Sequence, residues 1–142
     1  MADRTAHVSW SGSLMEGGGT ITSVGSGAFG PLDVTWASRA EDSDGRTSPE
    51  ELIAAAHAAC FSMALSHGLA NAGTPAESLD TSATVTFVPG TGITKIALSV
   101  RGRVPGLGEA AFRDAAEGAR VGCPVSKALA AVPEITLDAA LA

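Results

Sequence analysis

Tyrosine is absent, and the aromatic side chains amount to two tryptophans and four phenylalanines. So few rings leave no platform on which bases could stack. Cations are scarce as well: nine Lys and Arg stand against fifteen Asp and Glu, a net charge of −6. Phosphate contacts need clustered cations, so the composition argues against a nucleic-acid partner. Two cysteines are too few for a disulfide framework and read as buried apolar side chains or a redox pair. The N-terminus lacks the basic and apolar regions of a signal peptide. The most apolar run holds two histidines and many small residues, and we do not read it as membrane-spanning. These absences lead us to expect one cytoplasmic domain over residues 1–142, with no membrane partner.

What is present is organised around the stretch from Thr47 to Gly73. Ser48 suits a helix N-cap, Pro49 the first helical position, and Glu50 and Glu51 the positive end of the dipole. Glu51 stands third after Ser48, the spacing of a capping box. An alanine-rich run of high helix propensity follows, and Asn71 to Gly73 then suit a left-handed cap. Between Leu52 and Leu65 this helix has almost no polar face. A helix apolar all round should be covered all round, by a sheet and by a second copy of itself.

Flanking segments read as strands and shorter helices. His7 to Trp10, Thr20 to Val24 and Leu32 to Trp36 form a small antiparallel meander, the last by its alternation of apolar and polar positions. Leu79 to Val88 and Ile93 to Val104 make a hairpin across Pro89 to Gly92, with Ile96, Leu98 and Val100 facing the core. Leu107 to Val121 is helical, Pro124 starts a short helix through Ala131, and Ile135 to Ala139 is a last strand. The class is α+β with a largely antiparallel sheet.

Cys60 lies in the middle of the central helix, where the dipole helps little, so a reactive thiolate there needs a nearby cation. A small buried hydrophobe is the other reading of a mid-helix cysteine. Cys123, just before Pro124 at a helix start, is the more acidic thiol on local grounds. His57 shares a helix face with Cys60 and could pair with it or simply be a packed histidine. Neither a metal cluster nor a phosphate loop is in view. Arg39, Arg46, Arg101, Arg103, Arg113, Arg120 and Lys127 are the available cations, and local physics does not choose among them.

The run Ser48 to Leu65, Ser-Pro-Glu-Glu-Leu-Ile-Ala-Ala-Ala-His-Ala-Ala-Cys-Phe-Ser-Met-Ala-Leu, resembles the signature helix of the OsmC/Ohr family of cysteine peroxidases. Thr94 to Leu98, Gly122 to Leu129 and Ile135 to Asp138 match the OsmC branch, so the resemblance spans essentially the whole chain. It implies an OsmC-like fold: an antiparallel sheet on a long buried central helix, in an intertwined homodimer. It further implies an enzyme that reduces organic hydroperoxides, with Cys60 peroxidatic and Cys123 resolving. Arg39 matches the arginine that stabilises the thiolate, although an alanine follows it where the family has an aromatic, and Glu50 matches the carboxylate that holds it. Phe61, Met63 and Leu65 beside Cys60 suit an organic peroxide. The resemblance implies no cofactor and no metal, and a dithiol reductant of the lipoyl type. A redox sensor or a non-catalytic binder of apolar ligands is the competing class. The family pattern puts Cys60, Arg39 and Glu50 in one site, whereas ten helical residues separate Glu50 from Cys60 by roughly 15 Å. A second chain supplying Arg39 and Glu50 removes that conflict.

Overall fold

The computed structural model describes residues 1–142 and divides them into two compact units, Met1–Leu52 and Ile53–Ala142. In the first unit, β1 (Ala6–Ser11), β2 (Gly18–Val24) and β3 (Leu32–Val34) form an antiparallel meander in the order β1-β2-β3. The strand read as continuing to Trp36 stops at Val34. Trp36–Ala40 is instead a short helix, α1. Thr35 caps it: its side chain accepts from the Ser38 amide at 3.0 Å, while Ser38 Oγ accepts from the Thr35 amide at 2.9 Å. This reciprocal cap outweighs the period-two pattern.

The long helix α2 runs unbroken over Pro49–Asn71. Ser48 caps its start, accepting from the Glu51 amide at 3.1 Å. The Glu51 carboxylate does not close the box; it accepts from the Thr47 hydroxyl at 2.9 Å. At the other end Gly73 takes a φ of +84°. Thr74 N–H reaches Leu69 O at 2.9 Å and Gly73 N–H reaches Ala70 O at 3.0 Å, the paired bonds of a Schellman cap.

In the second unit β4 (Ser78–Val88) and β5 (Gly92–Arg103) form the expected hairpin. After α3 (Glu109–Gly122) and α4 (Pro124–Ala128), strand β6 (Glu134–Leu141) returns beside β5. It runs parallel to β5, with Lys95 opposite Glu134 and Gly102 opposite Leu141, so this sheet is mixed rather than antiparallel throughout. The core joins Phe61, Leu65 and Leu69 of α2 to Ile96, Leu98 and Val100 of β5 and Phe112, Ala116 and Ala119 of α3.

By length and composition alone α2 could cross a bilayer, contrary to the reading of its sequence; its burial of Phe61, Leu65 and Leu69 is what a core helix does. Within one chain the helix is not covered all round. Ala55, Ala56 and Ala59 are exposed, and Met63 is 73% exposed. Phe61 and Leu65 point into the core, so the three apolar neighbours of Cys60 do not act together.

Candidate active site

The second unit brings both cysteines together. Cys60, half-buried at the middle of α2, and Cys123, fully buried at the cap of α4, are free thiols close enough that each shifts the other's ionisation. Pro124 at the first position of α4 turns the chain so that Cys123 becomes the N-cap residue. Cys123 Sγ accepts from the Ser126 amide at 3.3 Å and lies 3.2 Å from Ser126 Oγ. On its other side Ser126 Oγ meets His57 Nε2 at 2.7 Å. His57 is completely buried, and its Nδ1 has no hydrogen-bond partner. The cluster is therefore Cys60, Cys123, Ser126 and His57, drawn from α2 and the first turn of α4.

The two thiols are pushed in opposite directions. Burial raises Cys60, a Val125 backbone bond lowers it, and the Cys123 sulfur raises it again, leaving a net rise. Burial also opposes ionisation of Cys123. Bonds from the Ser126 hydroxyl and amide, from the Cys60 thiol and from the Val125 backbone outweigh that and lower it. The single chain thus makes Cys123 the more acidic thiol, as its position before Pro124 suggests. No arginine or lysine of the second unit is among the influences on Cys60. Burial alone lowers His57, keeping the imidazole neutral.

The first unit holds the other two expected residues, and they meet each other. Arg39 grips Glu50 with a fork: Nε to Oε1 and Oε2 at 3.0 and 3.2 Å, and Nη2 to Oε1 at 2.8 Å. The Glu50 side chain is 7% exposed and that of Arg39 32%. Local structure fixes both partners. Arg39 lies in the capped turn α1, Glu50 in the first turn of α2, and Ser38 Oγ donates to Thr47 O at 2.9 Å to tie the two turns together. Arg39 also stands in the wall of a groove of about 310 Å³ formed largely by Trp10, Ile21, Val34, Trp36 and Leu52.

Ser126 escapes the sequence reading, and His57 is read there as a possible partner of Cys60 or a packed histidine. Cys-Pro-x-Ser at a helix start carries the signal for Ser126, because a residue three beyond an N-cap returns its amide to the cap. His57 bonds a residue from another element, which spacing along α2 does not reveal. No group of three or more His, Cys, Asp and Glu side chains is arranged to hold a metal ion.

Comparison with known proteins gives a consistent picture. The family described as OsmC-like protein matches residues 41–138. The chain is similar to Peroxiredoxin OsmC of Escherichia coli strain K12, at 46% identity over 132 residues, covering 91% of this chain and 90% of that protein. Among solved structures, an organic hydroperoxide resistance protein OsmC from Legionella pneumophila superposes with a TM-score of 0.67 at 22% identity over 96% of each chain. OhrB of Bacillus subtilis does so with a TM-score of 0.65 at 23% identity, over 97% of this chain and 98% of that one. At these identities the structural matches establish a shared fold.

Proposed function

The chain belongs to the OsmC family, and from that membership we propose that it is a thiol peroxidase acting on organic hydroperoxides. Its kinship with a peroxiredoxin supports the peroxidase. The observation that carries the chemistry is the pair of free cysteines brought together so closely that each shifts the other's ionisation. Such a pair can form a disulfide after one sulfur has been oxidised. The match over 41–138 crosses from the first unit into the second, which supports a single OsmC-like domain over 1–142.

In this reading the Cys60 thiolate attacks one peroxide oxygen. The O–O bond breaks, the remaining alkoxide takes a proton to leave as an alcohol, and Cys60 becomes a sulfenic acid. Cys123 attacks that sulfur, the S–O bond breaks, and water leaves as the disulfide forms. An external dithiol, of the lipoyl type, reduces the disulfide by exchange and is itself oxidised. The organic character of the substrate is supported by the groove: Arg39 shares its wall with Trp10, Trp36 and Leu52, which suit an alkyl tail. The site itself requires no metal or cofactor for these steps. Recycling by an external dithiol fits a cytoplasmic enzyme, where thiols are kept reduced.

The acidity order of the thiols bears on assembly. The peroxidatic role needs an acidic Cys60, yet no cation of its own unit bears on it, and the Arg39 guanidinium of the first unit is paired with Glu50. With α2 unbroken, Glu50 and Cys60 are about 15 Å apart along its axis, beyond the span of one arginine bonding both. A two-fold homodimer answers this if each chain lends its Arg39–Glu50 pair to the other's cysteines. The exposed Ala55, Ala59 and Met63 supply an apolar face for such packing. The test of the function is consumption of cumene hydroperoxide by wild type, Cys60→Ser and Cys123→Ser, with dihydrolipoamide and with thioredoxin. We expect no turnover from Cys60→Ser. We expect one oxidation from Cys123→Ser, leaving a sulfenic acid that dimedone traps. Normal turnover by Cys60→Ser would overturn the assignment; a wild type that consumes no peroxide would leave a sensor or binder.

A further inference from the structure

We infer that His57 and Ser126 form a buried donor relay that readies Cys123 as the attacking thiolate in disulfide formation. The inference rests on the peroxidase reading for its place in the reaction, though not for its test. Ser126 Oγ lies between His57 Nε2 at 2.7 Å and Cys123 Sγ at 3.2 Å. All three residues are buried, so water does not compete for these bonds.

The direction of the bonds follows from the unpartnered nitrogen. A proton on Nδ1 would leave a buried N–H unpaired. A proton on Nε2 leaves only a lone pair unpaired and gives Ser126 a donor. Ser126 Oγ, accepting from His57, then points its own hydrogen at Cys123 Sγ. The Ser126 amide reaches the same sulfur at 3.3 Å. Donors to a thiolate favour the charged form, and the groups that bear on this thiol are Ser126, Cys60 and the Val125 backbone, none of them a charged side chain. Burial keeps the His57 ring neutral, so the relay works by orientation without His57 changing its charge.

The resolving step then balances simply. The Cys123 thiolate supplies its electron pair to the Cys60 sulfenic sulfur, and the S–S bond forms as the S–O bond breaks. Hydroxide leaves and takes a proton to become water. Cys123 is oxidised and the Cys60 sulfur reduced to the disulfide level. Ser126 and His57 end the step with the protons they began with. Both are positioning residues: Ser126 acts on the reacting sulfur through one hydrogen bond, and His57 acts through Ser126.

The test titrates Cys123 in a Cys60→Ser background by thiolate ultraviolet absorbance across pH. No peroxide is involved, so failure of the peroxidase reading leaves this result standing. Ser126→Ala should raise the thiol pKa by about one unit, the size expected for one hydrogen bond to a charged group. His57→Leu should raise it in the same direction, and His57→Gln, which keeps an N–H near the Nε2 position, should restore it. In the chain with both cysteines, Ser126→Ala should prolong the life of the Cys60 sulfenic acid about tenfold below that pKa. A Cys123 that titrates alike in wild type and Ser126→Ala would overturn the relay. So would identical titrations for His57→Leu and His57→Gln. Urea midpoints identify folded variants, and the Gln substitution keeps the test open if His57→Leu does not fold.

Discussion

Mixing two dead variants is the sharpest test of a site shared between chains. Cys60→Ser lacks the attacking sulfur, and Arg39→Ala lacks the group proposed to make that sulfur acidic. If equal amounts are unfolded together and refolded, random pairing gives about half heterodimers, and symmetry places two sites in each. In a heterodimer one site takes Cys60 from the Arg39→Ala chain and Arg39 from the Cys60→Ser chain, so it is intact. The other site carries both lesions. Half the dimers with one of two sites working predicts about one quarter of wild-type specific activity. Sites contained within single chains predict none, because every chain carries one lesion. Native mass spectrometry counts the heterodimers, and cumene hydroperoxide consumption under excess dithiol reads the activity. The residual rates of the separate variants are subtracted. Proven heterodimers with no regained activity would refute the shared site, as would a fully active monomer in sedimentation.

Arg39→Ala alone should raise the Cys60 pKa and slow its alkylation by iodoacetamide near pH 6; unchanged kinetics would transfer the role to another cation. Gly102→Ala should destabilise the fold by about 1–3 kcal/mol in urea titration, the usual cost of overpacking a core. A Cβ there would stand 2.5 Å from two ring atoms of the fully buried Phe112 and 3.2 Å from Leu79 Cδ2. His57 predicts an acid slope. Burial holds its folded pKa below the ordinary imidazole value. Below about pH 6.5 the unfolded chain therefore binds a proton that the folded chain does not, and stability falls as pH falls through that window. Urea midpoints measured from neutral pH downward should show the slope in wild type and a smaller one in His57→Gln.

Local chemistry made much of this fold legible. Ser48 and Pro49 announced the start of α2, and Gly73 its end, because caps are decided within a few residues. Alternation announced the core face of β5 at Ile96, Leu98 and Val100. The same alternation misled at Trp36, where Thr35 and Ser38 satisfy each other's amides and start a turn of helix. The direction of β6 was not legible, since a strand carries the same pattern whichever way it runs. In the site, the local reading of Cys123 as the more acidic thiol agrees with its surroundings in the chain. The family assignment of Cys60 draws on a cation that no residue of α2 provides. Ser126 was missed because its importance lies in joining His57 to Cys123 across elements.

The parallel pairing of β6 with β5 also sets an order of events during folding. The β4–β5 hairpin closes across a short turn, whereas β6 must return past α3 and α4 to a partner roughly forty residues earlier in the chain. Its ladder therefore forms late. Until it does, β5 offers an open edge beside Ile96, Leu98 and Val100, and a chain emerging from the ribosome carries that edge before β6 has been made. Refolding yield should fall with protein concentration for this reason, and changes that weaken the β6 ladder should lower the yield before they alter the activity of molecules that do fold.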